Sequence, residues 1–376
     1  MLSHPPLWFI LVAFLAALGP LVFIHELGHY LVARWFGVGA ESFSIGFGRE
    51  VAGWTDKRGT RWKVGWLPLG GYVKFVGDLN PVSMPGEVSD VPPEERRRSF
   101  HFRPVWQRFL IVLAGPLANF LLAILIFAAF FGAMGVPRTG NVVTAIDSGS
   151  AAQAAGIRQG DRILAIAGRA TPTFEDISQV VVLRPGAEVE LDIERDGRRL
   201  TVPAKIGSAE QTDKFGQKFK VGRLGVFGGE RQYARLPVTE LIPAAAGFTW
   251  SMTRSIIDAL GQIITGQRSA KDLGGPLKMA QIAGQQASLG LFEFFYLVAL
   301  FSINLGFINL LPVPMLDGGH LALYTIEAVR RRPVSLRAQE WAFRGGLAFI
   351  LALLLFTTLN DLGSFGLWES VGRLIG

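Results

Sequence analysis

The chain has 376 residues, half of them hydrophobic and only 18% charged, and a mean hydropathy of +0.35, a composition expected of a membrane protein rather than a soluble domain. The net charge of +7 has a distribution that fits the loops of a membrane protein, with no nucleic-acid partner expected. Cysteine is absent, which excludes disulfide scaffolds, Cys-ligated zinc, Fe–S clusters and thiol nucleophiles, so any metal must be held by His and carboxylate.

The first apolar stretch, residues 7–24, is long enough to begin crossing a bilayer and continues helically through His25-Glu26-Leu27-Gly28-His29. No Lys or Arg precedes it, so a cleaved signal peptide is not expected and this span should remain. On a helix, H-E-x-x-H sets two imidazoles one turn apart on one face with a carboxylate beside them. That arrangement suits one catalytic Zn²⁺ held by His25 and His29, with Glu26 as general base. Ionisable groups inside a span are costly and functional by default, which disfavours mutual pairing inside a bundle as their only purpose.

Residues 43–54 and 61–75 show partial apolar/polar alternation around Thr55-Asp56-Lys57-Arg58-Gly59, the signal of a hairpin. Trp54, Trp62, Trp66 and Tyr72 suit a bilayer interface, and two readings stand side by side: a small cytoplasmic hairpin, or a strand pair folded back towards the membrane whose free edge would receive an extended peptide. The second span, 109–131, has no charge, and its most polar residue is Asn119. Residues 140–206 then read as a small α/β module, whose run from Ser150 to Gly168 resembles a bacterial PDZ domain, with 173–183 as its helix and Arg195-Asp196-Gly197 as its last hairpin. Such a fold implies capture of a peptide or C-terminus along a strand edge, or a steric cap. Residues 207–290 are expected to form a linker and amphipathic helices. Within them 241–264 has helical apolar spacing, but Arg254 and Asp258 sit in its middle, so an interfacial helix is expected there rather than a fifth span.

The third span, 294–311, carries Ser302, Asn304 and Asn309, and ends in Leu311-Pro312-Val313-Pro314-Met315-Leu316-Asp317-Gly318-Gly319-His320. Two prolines and two glycines break the helix there, and irregular backbone at membrane depth is tolerated where it lines a cavity. Catalytic zinc normally takes three protein ligands. The strongest candidate for the third is Asp317, with His320 ranked below it. The fourth span covers 341–359. Basic residues cluster between spans one and two (Arg96, Arg97, Arg98) and between three and four (Arg330, Arg331, Arg332), which assigns both loops to the cytoplasm and both termini and the α/β module to the outside. Spans one and three then both run inwards and bring Asp317 to the same end as the histidines.

H-E-x-x-H in span one, Gly115-Pro116-Leu117-Ala118-Asn119 in span two, a single PDZ-like module, and N-x-x-P-x-P-x-L-D-G closing span three together resemble the site-2 protease family of intramembrane zinc metalloproteases, with the closest likeness to bacterial regulator of sigma-E proteases. The resemblance implies a polytopic α-helical membrane protein of four transmembrane helices with a membrane-associated β-hairpin and one inserted PDZ domain. It implies zinc bound by His25, His29 and Asp317, water activated by Glu26, and substrate backbone held by Asn304 or Asn309 beside Pro312 and Pro314. Expected substrates are membrane proteins or peptides in the bilayer of a bacterial inner membrane, such as trimmed single-span anti-sigma factors and remnant signal peptides. Better known enterobacterial members carry two PDZ modules where this chain shows one. The competing readings are a catalytically silent PDZ-containing scaffold or chaperone, which the intact Glu26 disfavours, and a transporter or channel, which the lack of an internal repeat disfavours.

Overall fold

A computed structural model describes residues 5–77, 96–212, 218–229, 232–266, 269–270 and 273–364. Two compact units divide the chain. The first comprises Met1–Phe127, Phe248–Thr253 and Leu273–Gly363; the second comprises Ala128–Gly247, Arg254–Asp272 and Ser364–Gly376.

Four helices among the described residues are long and apolar enough to cross a membrane: α1 (Leu7–Trp35), α2 (Val105–Met134), α7 (Leu291–Leu310) and α9 (Leu336–Ser364). They coincide with the four stretches read as spans. Their outward faces carry leucine, valine and tryptophan, as at Leu11, Leu121 and Leu355, which is the distribution expected where lipid replaces water as the solvent. Between α1 and α2 lie β1 (Ala40–Thr55) and β2 (Arg61–Phe75). These form more than the simple hairpin that the alternation suggests. Phe43 is partnered by Val73 on one side and by Trp62 on the other, while Trp54 also pairs with Trp62. Each strand therefore serves two neighbours, and the segment Gly71–Phe75 lies at an edge. The bend that permits this falls at Gly46, whose φ of +84° is one that side chains rarely adopt.

The inner face of this sheet is fixed by Phe43, which is 1% exposed and stacks on Trp62 with ring centroids 4.4 Å apart. Phe43, Val73 and Phe75 join Tyr30, Ala33, Ile111, Phe100 and Tyr324 in one buried cluster. The turn between the strands is tied down by Asp56, whose carboxylate accepts from the Trp62 indole N–H at 3.0 Å and from the Thr60 and Arg58 backbones. These donors, the indole foremost, hold its pKa below the usual carboxylate range. The Tyr30 hydroxyl of α1 also donates to Asp56, at 3.4 Å, and joins this turn to the helix.

In the second unit, β5 (Arg162–Ile166), β6 (Arg169–Ala170), β7 (Glu188–Arg195) and β8 (Arg198–Lys205) form a sheet of order β6-β5-β7-β8. In β7 the buried Leu191 and Ile193 alternate with Glu190, Asp192 and Glu194, the period of two that a one-sided sheet requires. Helix α4 (Phe174–Val182) covers that face with Ile177, Val180 and Val181, and starts at a capping box in which Thr173 and Asp176 satisfy each other's backbone. The short α3 (Ala151–Ala154) is capped by Ser150. Further strands are β3 (Val136–Arg138), β4 (Ala145–Ile146), β9 (Gly207–Thr212), β10 (Lys218–Arg223), β11 (Val226–Phe227) and β12 (Gln232–Ala234). The core of this module runs past Ile206: Leu224 is 2% exposed within it, and β11 pairs with β4.

Asp161 staples the module. Its carboxylate accepts from Arg195 Nε and from a second Arg195 nitrogen, both at 2.7 Å, and from the Arg158 backbone N–H. Burial alone would raise its pKa, but these donors outweigh it and hold the carboxyl below the ordinary range.

The stretch expected to be an amphipathic helix is α5 (Val238–Ile264). Its Asp258 carboxylate pairs with Arg169 at 3.2 Å and Arg184 at 3.4 Å. Helix α6 (Pro276–Leu289) follows, its first turn capped by Asp361 of α9, which accepts from the Gly275 and Lys278 backbones. Helix α8 (Asp317–Arg330) completes the first unit.

Candidate metal centre

The fourfold spacing of His25 and His29 on α1 sets the two imidazoles on one face with their Nε2 atoms 3.3 Å apart. Asp317 arrives from the far end of the sequence. Helix α7 stops at Leu310, Leu311 turns extended, Met315 takes a φ of +83° and Leu316 is extended again before α8 begins at Asp317. Pro312 and Pro314 cannot continue a helix, and the absence of a side chain at Gly319 lets the first turn of α8 settle against Val313, whose carbonyl oxygen would lie 2.5 Å from a Cβ there. The result is that Asp317 does not cap a loop. Its Oδ2 points at both histidines, 3.1 Å from His25 Nε2 and 3.5 Å from His29 Nε2.

These three atoms form a near-equilateral triangle, and its size is informative. Metal–ligand bonds of about 2.0 to 2.1 Å at tetrahedral angles hold neighbouring ligand atoms about 3.3 Å apart. The separations of 3.1, 3.3 and 3.5 Å bracket that value. Asp317 Oδ2 is also buried without a hydrogen-bond donor of good geometry. The donor set, two imidazoles and one carboxylate, is therefore one that zinc fits, and among the described residues it is the one His/Asp/Glu group of this kind.

His320, the competing third ligand, lies apart from this triangle. It lines the same cavity, but its ring packs on Phe343 at 5.1 Å and lies beside Tyr324. Helix α8 is held at its other end by Arg108 of α2, which pairs with Glu327 at 2.7 Å and lies over the Tyr324 ring.

Glu26 follows His25 on α1 and turns towards the sheet. Its side chain packs against Gly71, and the Val73 backbone N–H is aimed at its carboxylate. His25, His29, Asp317, Glu26 and the Gly71–Val73 edge all line one cavity of about 660 Å³. Asn309 and Met315 complete part of its wall, whereas Asn304, Pro312 and Pro314 are not among its lining residues. The arrangement brings a carboxylate, a candidate cation site and a strand edge to one half-open cavity.

Sequence reasoning missed the supporting face of α2. The Ile111 carbonyl lies 2.9 Å from His29 Nδ1, the glycine at 115 leaves room for the His29 ring, and the Asn119 amide lies 3.1 Å from His25 Nδ1. The available signals were Asn119 in an uncharged span, since polar residues there rarely lack a partner, and the run Gly115-Pro116-Leu117-Ala118-Asn119, neither of which was given a role at the site.

Residues 13–353 match peptidase family M50. The chain is 43% identical over 360 residues to a protein of Agrobacterium fabrum that bears a zinc metalloprotease name, an alignment covering 94% of this chain and 96% of the relative. It is 40% identical to the metalloprotease MmpA of Caulobacter vibrioides, covering 97% and 98%. A relative in Rickettsia conorii with a zinc metalloprotease name is 34% identical, covering 94% and 98%. Long apolar helices, the His/His/Asp triangle and these likenesses agree: the chain belongs to peptidase family M50, the site-2 protease family, and is a multi-pass membrane zinc metalloprotease.

Proposed function

We propose that the protein is an intramembrane endopeptidase that cleaves the transmembrane segments of single-span proteins, with His25, His29 and Asp317 as the zinc ligands and Glu26 as the general base. The observation that carries this reading is the triangle of His25, His29 and Asp317 opening, beside Glu26, into a cavity bounded by the Gly71–Val73 edge. Held by His25, His29 and Asp317, zinc would supply Lewis-acid chemistry, polarising the scissile carbonyl and lowering the pKa of water enough for attack at neutral pH. Glu26 takes the proton from the attacking water and delivers it to the departing amine. A helical peptide bond is closed to attack, so the substrate unwinds locally. Its freed backbone groups pair with the Gly71–Val73 edge and with the amide of Asn309, while Asn304, Pro312 and Pro314 shape the broken helix end that Asn309 precedes.

The module from residue 136 onwards acts in this reading as a single PDZ domain that filters substrates and contributes nothing to the chemistry. Leu224 and β11 support extending it beyond residue 206. By likeness to the family, substrates are anti-sigma factors already trimmed by another protease and remnant signal peptides. The bilayer is a bacterial inner membrane, with both termini and the PDZ module outside and the zinc site near the cytoplasmic side. The test is cleavage of a single-span substrate in reconstituted vesicles, with the product ends read by mass spectrometry. Cuts inside the hydrophobic segment, lost in Glu26→Gln, are expected. Cuts confined to the water-exposed tails would overturn the intramembrane assignment, and undiminished binding without any cut would favour the scaffold.

A further inference from the structure

We infer that Asn119 is a positioning residue for the metal centre: its side-chain oxygen accepts the Nδ1 proton of His25 and so fixes the tautomer whose Nε2 lone pair faces Asp317. This inference rests on the ligand set proposed above and concerns a residue outside it. A neutral imidazole has one N–H and one lone pair, and a ring that binds a cation through Nε2 must carry its hydrogen on Nδ1. That hydrogen needs an acceptor, most of all in a dry interior. For His29 the acceptor is the Ile111 carbonyl at 2.9 Å. For His25 the group within reach is the Asn119 amide, 3.1 Å from Nδ1.

The amide can serve either tautomer, because turning it by half a revolution exchanges a donor for an acceptor at almost no change in shape. With its nitrogen towards Nδ1, it donates to a ring whose hydrogen is on Nε2, and Oδ1 then has no partner although Asn119 is fully buried. With its oxygen towards Nδ1, it accepts from the ring and leaves Nε2 bare for a cation, and the orphaned acceptor is satisfied at the same time. The second orientation meets the demand of the ring and satisfies Oδ1, and the amide nitrogen then takes the place that Oδ1 held. The Asn119 backbone is itself anchored, since the buried Ser302 hydroxyl of α7 donates to its carbonyl at 2.7 Å.

Residues 111, 115 and 119 recur at intervals of four along α2, matching the interval of four between His25 and His29 on α1. The carbonyl at 111 and the gap at 115 thus face the His29 ring, and the amide at 119 faces the His25 ring. Partners of this kind tune metal affinity by roughly 10- to 100-fold.

The experiment measures zinc affinity of the full-length protein in detergent by chelator competition, with melting temperature and the visible spectrum of the Co²⁺-substituted protein recorded alongside. Asn119→Leu removes the acceptor at similar volume and is expected to weaken zinc binding by roughly 10- to 100-fold and to shift the Co²⁺ bands. Asn119→Asp keeps an acceptor and is expected to bind zinc as tightly as the parent or more tightly. A purely structural role for Asn119 predicts the reverse order, because a buried leucine is tolerated in a span and an added charge is not. Parental affinity in Asn119→Leu, or affinity at least tenfold below the parent in Asn119→Asp, would overturn the inference, and the second criterion still decides if the leucine variant fails to fold. Full zinc retention in Asp317→Ala would overturn the ligand set, and this inference with it. Loss of zinc there alongside parental affinity in Asn119→Leu would overturn this inference alone.

Discussion

Gly115 and His29 are so closely packed that a Cβ at position 115 would overlap the imidazole Nε2. Gly115→Ala therefore forces either the ring or α2 to move. Overpacking of this kind costs about 1 to 3 kcal/mol, and a displacement near 1 Å at a catalytic site can cost on the order of a hundredfold in rate. The expected outcome is a protein that still reaches the membrane but has lost zinc and at least a hundredfold in activity. Gly19→Ala, where nothing lies within 4 Å of the added carbon, should be neutral or slightly stabilising. Equal zinc content in the two variants, measured per folded molecule, would refute the packing argument.

The assignment of third ligand and base separates cleanly by metal analysis. Glu26→Gln should abolish hydrolysis while zinc stays bound, since the amide keeps the shape but cannot take a proton. Asp317→Ala should lose zinc and activity together. His320→Ala, whose ring rests on Phe343, should retain most of both. A His320 variant that loses zinc while the Asp317 variant keeps it would require the site to be redrawn.

Acid sensitivity of the module built on β5 to β8 should trace to Asp161. Its pKa is lowered in the folded protein, so its contribution to stability is present above the ordinary carboxylate pKa of about 4 and is lost as pH falls through the folded value. Asp161→Asn leaves Arg195 without its buried partner and should destabilise the module by roughly 3 kcal/mol at neutral pH, while flattening the acid limb of its stability curve. Hydrogen exchange over β5 and β7 at pH 7 and pH 3 reads both effects. An unchanged acid limb in the variant would show that other carboxylates dominate.

For membrane orientation, reporters fused after Gly77 and after Arg332 should read as cytoplasmic, and one inserted near Gly207 as external. A cytoplasmic signal at Gly207 would invert the proposed topology.

Much of this was legible in the sequence, for reasons that differ by element. The spans declared themselves because lipid demands long uncharged runs, and His25 and His29 because a spacing of four has one meaning on a helix. Asp317 was legible through the breakers around it, since Pro312, Pro314, Gly318 and Gly319 are misplaced in an ordinary span. The double pairing of Phe43 and Trp62 was not, because alternation reports which face is buried and says nothing of how many neighbours a strand has. Leu224 and the two-residue β11 are too short to show a period. The service of Ile111, Gly115 and Asn119 depends on the rotation of α2 against α1, a tertiary fact that a single helix cannot encode.

The distance along the chain between His29 and Asp317 has a consequence for how the enzyme is assembled. With the proposed ligands, one ion cross-links the first helix to the eighth and closes a loop that contains most of the polypeptide. Closing so long a loop carries an entropic cost that grows only slowly with its length, while a ligand bound solely by the folded state adds about 2.7 kcal/mol at a hundred times its dissociation constant. Zinc is then a fastener as well as a reagent. Chelation should loosen α8 from α1 before it unfolds either helix, so the supply of zinc would govern how long the newly inserted protein survives its own membrane's quality control.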